Sequence, residues 1–80
     1  MNRDQITATV QDIFRDVLDN PSLIIAEELT AADVDDWDSL AHISIITGIE
    51  QAFRIRLSLS EIDGFNCIGD MIDSVEKKLA

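Results

Sequence analysis

Three stretches of the chain place apolar residues at the spacing of one helical face, and no segment offers a strand a partner. Residues 4–18 carry Ile6, Val10, Ile13, Phe14, Val17 and Leu18, whose steps line one side of a helix. Residues 39–53 repeat the pattern through Leu40, Ile43, Ile46, Ile49 and Phe53, with Ile45 beside the stripe. A third face runs through Ile68, Met71, Ile72, Val75 and Leu79. Lys77 and Lys78 fall in its last turn, where cations suit the helix dipole. Before it, FRIRLSLSEI (53–62) alternates apolar and polar residues as a half-buried strand does. A lone strand is unstable, so this segment is expected to be extended to about Leu57 and then to form a short helix over 58–63 that ends at Gly64. The fold class that follows is all-α: a small bundle of three main helices and one short one.

The first helix should stop at Asn20-Pro21, because the residue before a proline avoids helical backbone. Residues 19–38 then make a loop too long for an ordinary connection, and such loops in small domains are usually functional. Leu23, Ile24, Ile25, Leu29, Val34 and Trp37 are expected to pin it across the helices, with Trp37 as the main anchor. Gly48, in the middle of the second helix, weakens it by about 1 kcal/mol relative to Ala.

Eighty residues suffice for one domain, 1–80, with a modest core and little room for an elaborate enzyme site. At 46% hydrophobic residues with clear periodicity, the chain reads as folded rather than disordered despite a net charge of −10. The charge is uneven, with −6 falling in residues 21–40 and +1 in residues 41–60. Nucleic acid and anionic membrane surfaces want the opposite sign, so basic protein surfaces are the natural partners. Cys67 has no second cysteine to pair with and reads as a small buried residue near the start of the last helix. MNRDQITATV lacks the apolar core of a signal peptide and LIIA (23–26) is too short to span a bilayer, so a cytoplasmic monomer without membrane insertion is expected.

The acidity converges on DDWDSLAHISII (35–46), where Ser39 stands between a run of aspartates and an apolar helix. Capping alone explains Asp and Ser at a helix start. A calcium loop does not: opened at Asp33 it would need Gly and Glu where Asp38 and Ser44 stand, and opened at Asp36 it meets Ala41 and Thr47. Serine hydrolysis is weakly supported. His42 falls on the same helix face as Ser39, but no G-x-S-x-G elbow surrounds the serine and nothing marks an oxyanion hole. His42 by itself reads as an exposed helix residue, and one histidine without nearby Cys or His is no zinc site.

Asp38-Ser39-Leu40, opening an amphipathic second helix after a long acidic loop in an all-helical chain of this length, resembles the acyl carrier protein family across essentially the whole sequence. The resemblance implies a carrier that is not itself an enzyme, with an acyl-carrier-like bundle and a long loop between helices 1 and 2. It implies that Ser39 receives 4′-phosphopantetheine from coenzyme A through a separate phosphopantetheinyl transferase, which supplies the activating base and metal. It also implies acyl-loading and acyl-processing partner enzymes with basic surfaces. Asp36, Asp38, Leu40, His42 and Glu50 are the candidate contacts for them. A groove between the second and third helices shelters acyl chains in relatives, and Ile43, Ile46, Leu57 and Ile62 are the candidates to line it here. The plainer reading places Ile43, Ile46, Ile49, Phe53, Leu57, Ile62 and Ile72 in the core.

A helix start stabilises a nearby anion by about 0.3–1 kcal/mol, while a like charge about 4 Å away in water repels it by about 1 kcal/mol. The aspartates beside Ser39 thus make more sense as partner contacts than as supports for a phosphate. The second helix departs from the acid-rich pattern of fatty-acid carriers, since Glu50 is its sole acid after Asp38, and Arg54 and Arg56 follow it. This favours a specialised carrier in a fatty-acid, polyketide or modified-lipid pathway. Two alternatives stay open. One is an aminoacyl or peptidyl-type carrier, although its G-G-x-S signature is missing; the other is an acidic helical interaction module in which Ser39 only caps a helix.

Overall fold

In the computed structural model, residues 2–79 are described, so the two end positions of the expected 1–80 domain lie outside it. The first helix begins where the side chains allow a reciprocal cap. Asn2 Oδ1 accepts from the Gln5 N–H at 2.8 Å, and Gln5 Oε1 accepts from the Asn2 N–H at 3.0 Å. From there α1 runs over Arg3–Val17 and buries Ile6, Val10 and Phe14. It stops before the proline has any say. Asp19 turns into the left-handed region at φ 51°, and the N–H of Asn20 reaches back to the Arg15 carbonyl at 3.0 Å.

The loop that follows is packed along much of its length. Leu18, Ile25 and Trp37 are buried, and Leu23, Leu29 and Val34 rest half-buried against the core. Ile24 is the exception: it is 75% exposed and does not pin the loop as its apolar character suggested. This stretch is neither helix nor strand, Gln11 Oε1 holds the Ile25 N–H at 3.0 Å, and 23 and 25 turn inward while 24 turns outward. A single 3₁₀ turn, Ala31–Asp33, is fastened by Asp33 Oδ2, which accepts from both the N–H and the hydroxyl of Thr30.

The second helix, α2, spans Ser39–Phe53 and buries Ile45, Ile46, Ile49 and Phe53. The apolar stripe read from spacing included Leu40 and Ile43 and put Ile45 at its margin. In the structure Ile43 is 63% exposed and Ile45 fully buried, and Leu40, for which partner contact stood beside core packing, is 73% exposed. Gly48 is part of the reason. A Cβ at this position would lie 2.9 Å from Ile13 Cγ2, so the bare backbone lets α1 and α2 approach on this side. The arc containing Ala41, Ile45 and Gly48 therefore faces the core, and the Leu40–Ile43 arc turns away. The helix ends at Arg54, in the left-handed region at φ 55°, with the Ile55 N–H bonded to the Glu50 carbonyl at 3.1 Å.

No strand forms among the described residues, and residues 55–57 after α2 are in neither helix nor strand, with Leu57 buried and Ile55 half-buried. Ser58 then caps α3, Leu59–Asp63, in a second reciprocal box with Glu61, and Gly64 closes it. Lys78 pairs with Glu61 at 3.0 Å. The Ser58 N–H first, and Lys78 second, hold the Glu61 carboxyl well below its usual range, at about 2. The last helix, α4, covers Ile68–Leu79 and buries Ile68, Met71, Ile72 and Val75. Leu79, at its end, is partly exposed, and Cys67 is half-buried rather than buried.

The start of α4 is sewn to the loop, where the N–H groups of Ile68 and Gly69 donate to the carbonyls of Leu29 and Glu27 at 3.0 and 2.8 Å. A Cβ on residue 69 would crowd that carbonyl at 3.1 Å. Arg3 completes the closure, pairing at once with Glu27, Asp73 and Glu76, and these partners hold its guanidinium firmly protonated. The result is the expected all-α bundle, in which α1 packs against both α2 and α4. None of the described helices is long and apolar enough to cross a membrane.

Candidate functional site at the start of the second helix

Ser39 is the first residue of α2 and is exposed. Asp38 is the cap: its Oδ1 accepts from the Ala41 N–H at 2.8 Å, and its carbonyl accepts from the His42 N–H at 2.9 Å. The N–H groups of Ser39 and Leu40 have no hydrogen-bond partner among the described residues and are donors at the positive end of the helix dipole. The serine thus stands beside two unpaired backbone donors, as capping physics requires at the first turn.

The position of this junction is set by Trp37, two residues before the serine. It is 6% exposed and meets Phe14 of α1 edge-on, with ring centroids 5.0 Å apart and planes at 89°. Its Nε1–H donates to His42 Nδ1 at 3.2 Å, and the two rings stack with their centroids 6.0 Å apart. His42 is therefore a half-buried partner of Trp37, not the freely exposed residue its sequence position suggested. The bond joins the end of the loop to the first turn of α2. Spacing alone gave no sign of it.

Around the serine the surface is divided. Asp33, Asp35, Asp36 and Asp38 are exposed on the loop side, while Leu40 and Ile43 are exposed along the helix. Glu50 is half-buried, and its Oε2 accepts from the Leu57 N–H at 3.0 Å, so this carboxylate fastens the segment between α2 and α3. Among the described residues, no three His, Cys, Asp or Glu side chains gather as a metal site would require.

Two hollows adjoin the site. The nearer, about 470 Å³, is lined by Ala31, Trp37, Asp38, Ser39, His42 and Ile43. The farther is a groove of about 310 Å³ between α2 and α3, lined by Ile43, Ile46 and Ile62 together with His42, Thr47, Glu50 and Leu59. Of the acyl-groove candidates, Ile43, Ile46 and Ile62 lie on this groove. Leu57 does not, because it is buried in the core beneath. Sequence reasoning missed Leu59, which is 74% exposed: it extends the alternation of 53–57, but the Ser58 cap starts a helix there and swings it out of that register.

Comparison with known proteins follows the geometry closely. No family model matches the chain. An acyl carrier protein of Streptococcus pyogenes is 36% identical over 69 residues, which cover 86% of this chain and 89% of that protein. An acyl carrier protein of Thermotoga maritima is 24% identical over 78 residues, covering 98% and 96% of the two chains. The solution structure of the holo acyl carrier protein from Geobacter metallireducens superposes with a TM-score of 0.83 at 38% identity, covering 96% of this chain and 84% of that one. With a fold matched over 96% of this chain and a sequence similarity that covers 86% of it, this chain belongs to the acyl carrier protein family.

Proposed function

We propose that Ser39 is the attachment point for 4′-phosphopantetheine and that residues 1–80 form one carrier domain, working as a cytoplasmic monomer and not as an enzyme. The position of Ser39 carries this reading: it is exposed, it opens α2, and it lies beside the free N–H groups of Ser39 and Leu40. Those donors suit the phosphodiester that modification would create. The group would supply a thiol at the end of a flexible arm, on which an acyl group is held as a thioester.

The transfer needs only an accessible hydroxyl from this chain. The Ser39 oxygen attacks the phosphorus of coenzyme A that bears the pantetheine. The bond from that phosphorus to the bridging oxygen breaks, and adenosine 3′,5′-bisphosphate leaves. The serine proton would pass to a base of the phosphopantetheinyl transferase, and a metal held by that enzyme would supply charge to steady the pyrophosphate. No base of this chain is required, and His42 Nδ1 is already engaged by Trp37.

Partner enzymes that load and process the acyl group would meet a mixed surface. Asp36 and Asp38 offer charge to basic residues close to the serine, and Leu40 offers an exposed apolar contact. His42 and Glu50 serve the fold first, since both are half-buried and hydrogen-bonded within the chain. The rest of the exposed α2 face is uncharged, and Arg54 and Arg56 are exposed beyond its end. This distribution supports a specialised pathway of acyl transfer over recognition by enzymes that read an acidic second helix.

Incubation with coenzyme A and a broad-specificity phosphopantetheinyl transferase, followed by intact mass measurement, tests the proposal. The protein should gain the mass of one phosphopantetheine, and Ser39→Ala should gain none. An unchanged mass under conditions that modify a known carrier would overturn it.

A further inference from the structure

We infer that the hollow between the loop and α2 is a seat for the first part of the arm carried by Ser39, with His42 as the residue that hydrogen-bonds it. The inference rests on Ser39 being the attachment point. Ser39 forms part of the wall of this hollow, so a group attached to it begins beside the hollow. The remaining wall is made by Ala31, Trp37, Asp38, His42 and Ile43. At about 470 Å³ the hollow is in the range that holds small organic groups.

The chemistry of the wall matches the order of groups along the arm. After the phosphate comes a methylene, then a carbon bearing two methyl groups, then a hydroxyl-bearing carbon, then an amide carbonyl. The apolar parts of Trp37 and Ile43 suit the methyl pair. The Asp38 carboxylate repels the phosphate and leaves it to the free N–H groups of Ser39 and Leu40.

The tautomer of His42 decides what it offers. An indole N–H can only donate, so Nδ1, which accepts it at 3.2 Å, is the unprotonated nitrogen. The proton of the neutral ring is then on Nε2, a hydrogen-bond donor with no partner among the described residues. An amide carbonyl of the arm is the acceptor it fits. His42 and Ile43 also line the α2–α3 groove, so they form the sill between the two hollows. An arm seated in the first would pass over that sill toward the second.

The test compares apo and holo protein by NMR, with intact mass reporting the modification separately. In the holo protein the two arm methyl groups should give distinct resonances with cross-peaks to Trp37 and Ile43. The single tryptophan indole N–H and the His42 Nε2 signal should both shift from their apo positions. His42→Phe should lose the cross-peaks while still gaining the full mass, His42→Gln should restore part of them, and Ile43→Ala, at an exposed position, should weaken them without disturbing the fold. A protein that gains the mass but shows equivalent arm methyls and no cross-peak to Trp37 or Ile43 would overturn the seat alone. A protein that gains no mass would overturn the attachment site, and the seat with it.

Discussion

The α1–α4 side and the α2–α3 side of the bundle begin from the same kind of sequence and end differently. On α4 the apolar stripe is covered almost to its end, and Arg3 fastens the helix to the loop through Glu27, Asp73 and Glu76. On α2 the apolar residues are divided: Ile45, Ile46, Ile49 and Phe53 are covered, while Leu40 and Ile43 face solvent next to Ser39, with Leu59 of α3 across the groove. The same amino-acid types hold the fold together on one side and form an accessible surface on the other. Hydrophobicity in a helix therefore does not establish burial; the neighbouring element does.

The sharpest way to break that contrast is truncation. Phe14→Ala removes the ring that Trp37 packs against and should cost about 3–5 kcal/mol in chemical denaturation, enough to threaten a domain of this size. Leu40→Ala should change stability by less than about 0.5 kcal/mol while slowing transfer between the carrier and its enzymes. Equal losses of stability for the two variants would erase the distinction between a structural and an exposed face.

Gly48 sharpens the comparison at the point where α1 meets α2. In an uncrowded helix Gly→Ala gains about 1 kcal/mol. Here the new methyl would meet Ile13, and overpacking of this kind costs about 1–3 kcal/mol. Urea titration of Gly48→Ala should thus show net destabilisation, relieved when Ile13→Ala is added. A stabilised Gly48→Ala would mean that the close approach does not set the orientation of α2.

Smaller effects come from charge. The Glu61 carboxyl, held near 2 against an ordinary 4.5, binds its proton less readily in the folded state than in the unfolded one. Its contribution is therefore present above about pH 4.5 and lost as the pH falls toward 2. Thermal melts over that window should be shallower in pH for Glu61→Gln than for the parent, and identical slopes would remove the role given to the Ser58 and Lys78 contacts. Moderate NaCl or millimolar Mg²⁺ should raise the melting temperature slightly by screening the six acids of residues 21–40. A melting temperature indifferent to both additions would show that this repulsion does not limit stability.

Much of the architecture was legible from local patterns. A helix start at Asp38-Ser39 and the stop at Gly64 were read from neighbouring residues, whereas the short helix was read as beginning at 58 and Ser58 instead caps it together with Glu61, and the cap of α2 is Asp38 rather than Ser39. The end of α1 was read at Asn20-Pro21, but the chain turns at Asp19, since a non-glycine left-handed residue leaves little trace in sequence. At the site, the place of Ser39 at a helix start was legible, whereas the half-burial of His42 and the outward turn of Leu59 were not. The first depends on where Trp37 lies, and the second on the Ser58 cap, which starts a helix where the alternation of 53–57 would have continued.

The sequence by itself determined how many helices this chain forms, where they begin and which serine opens the second, because periodicity and capping act over a single turn. Only the tertiary structure decided which arc of α2 is covered, that Gly48 admits Ile13, and that Trp37 and His42 join loop to helix. Each of those outcomes depends on atoms brought together from segments far apart in the chain or across a bend in it, whose relative placement is fixed by the packing of the whole core.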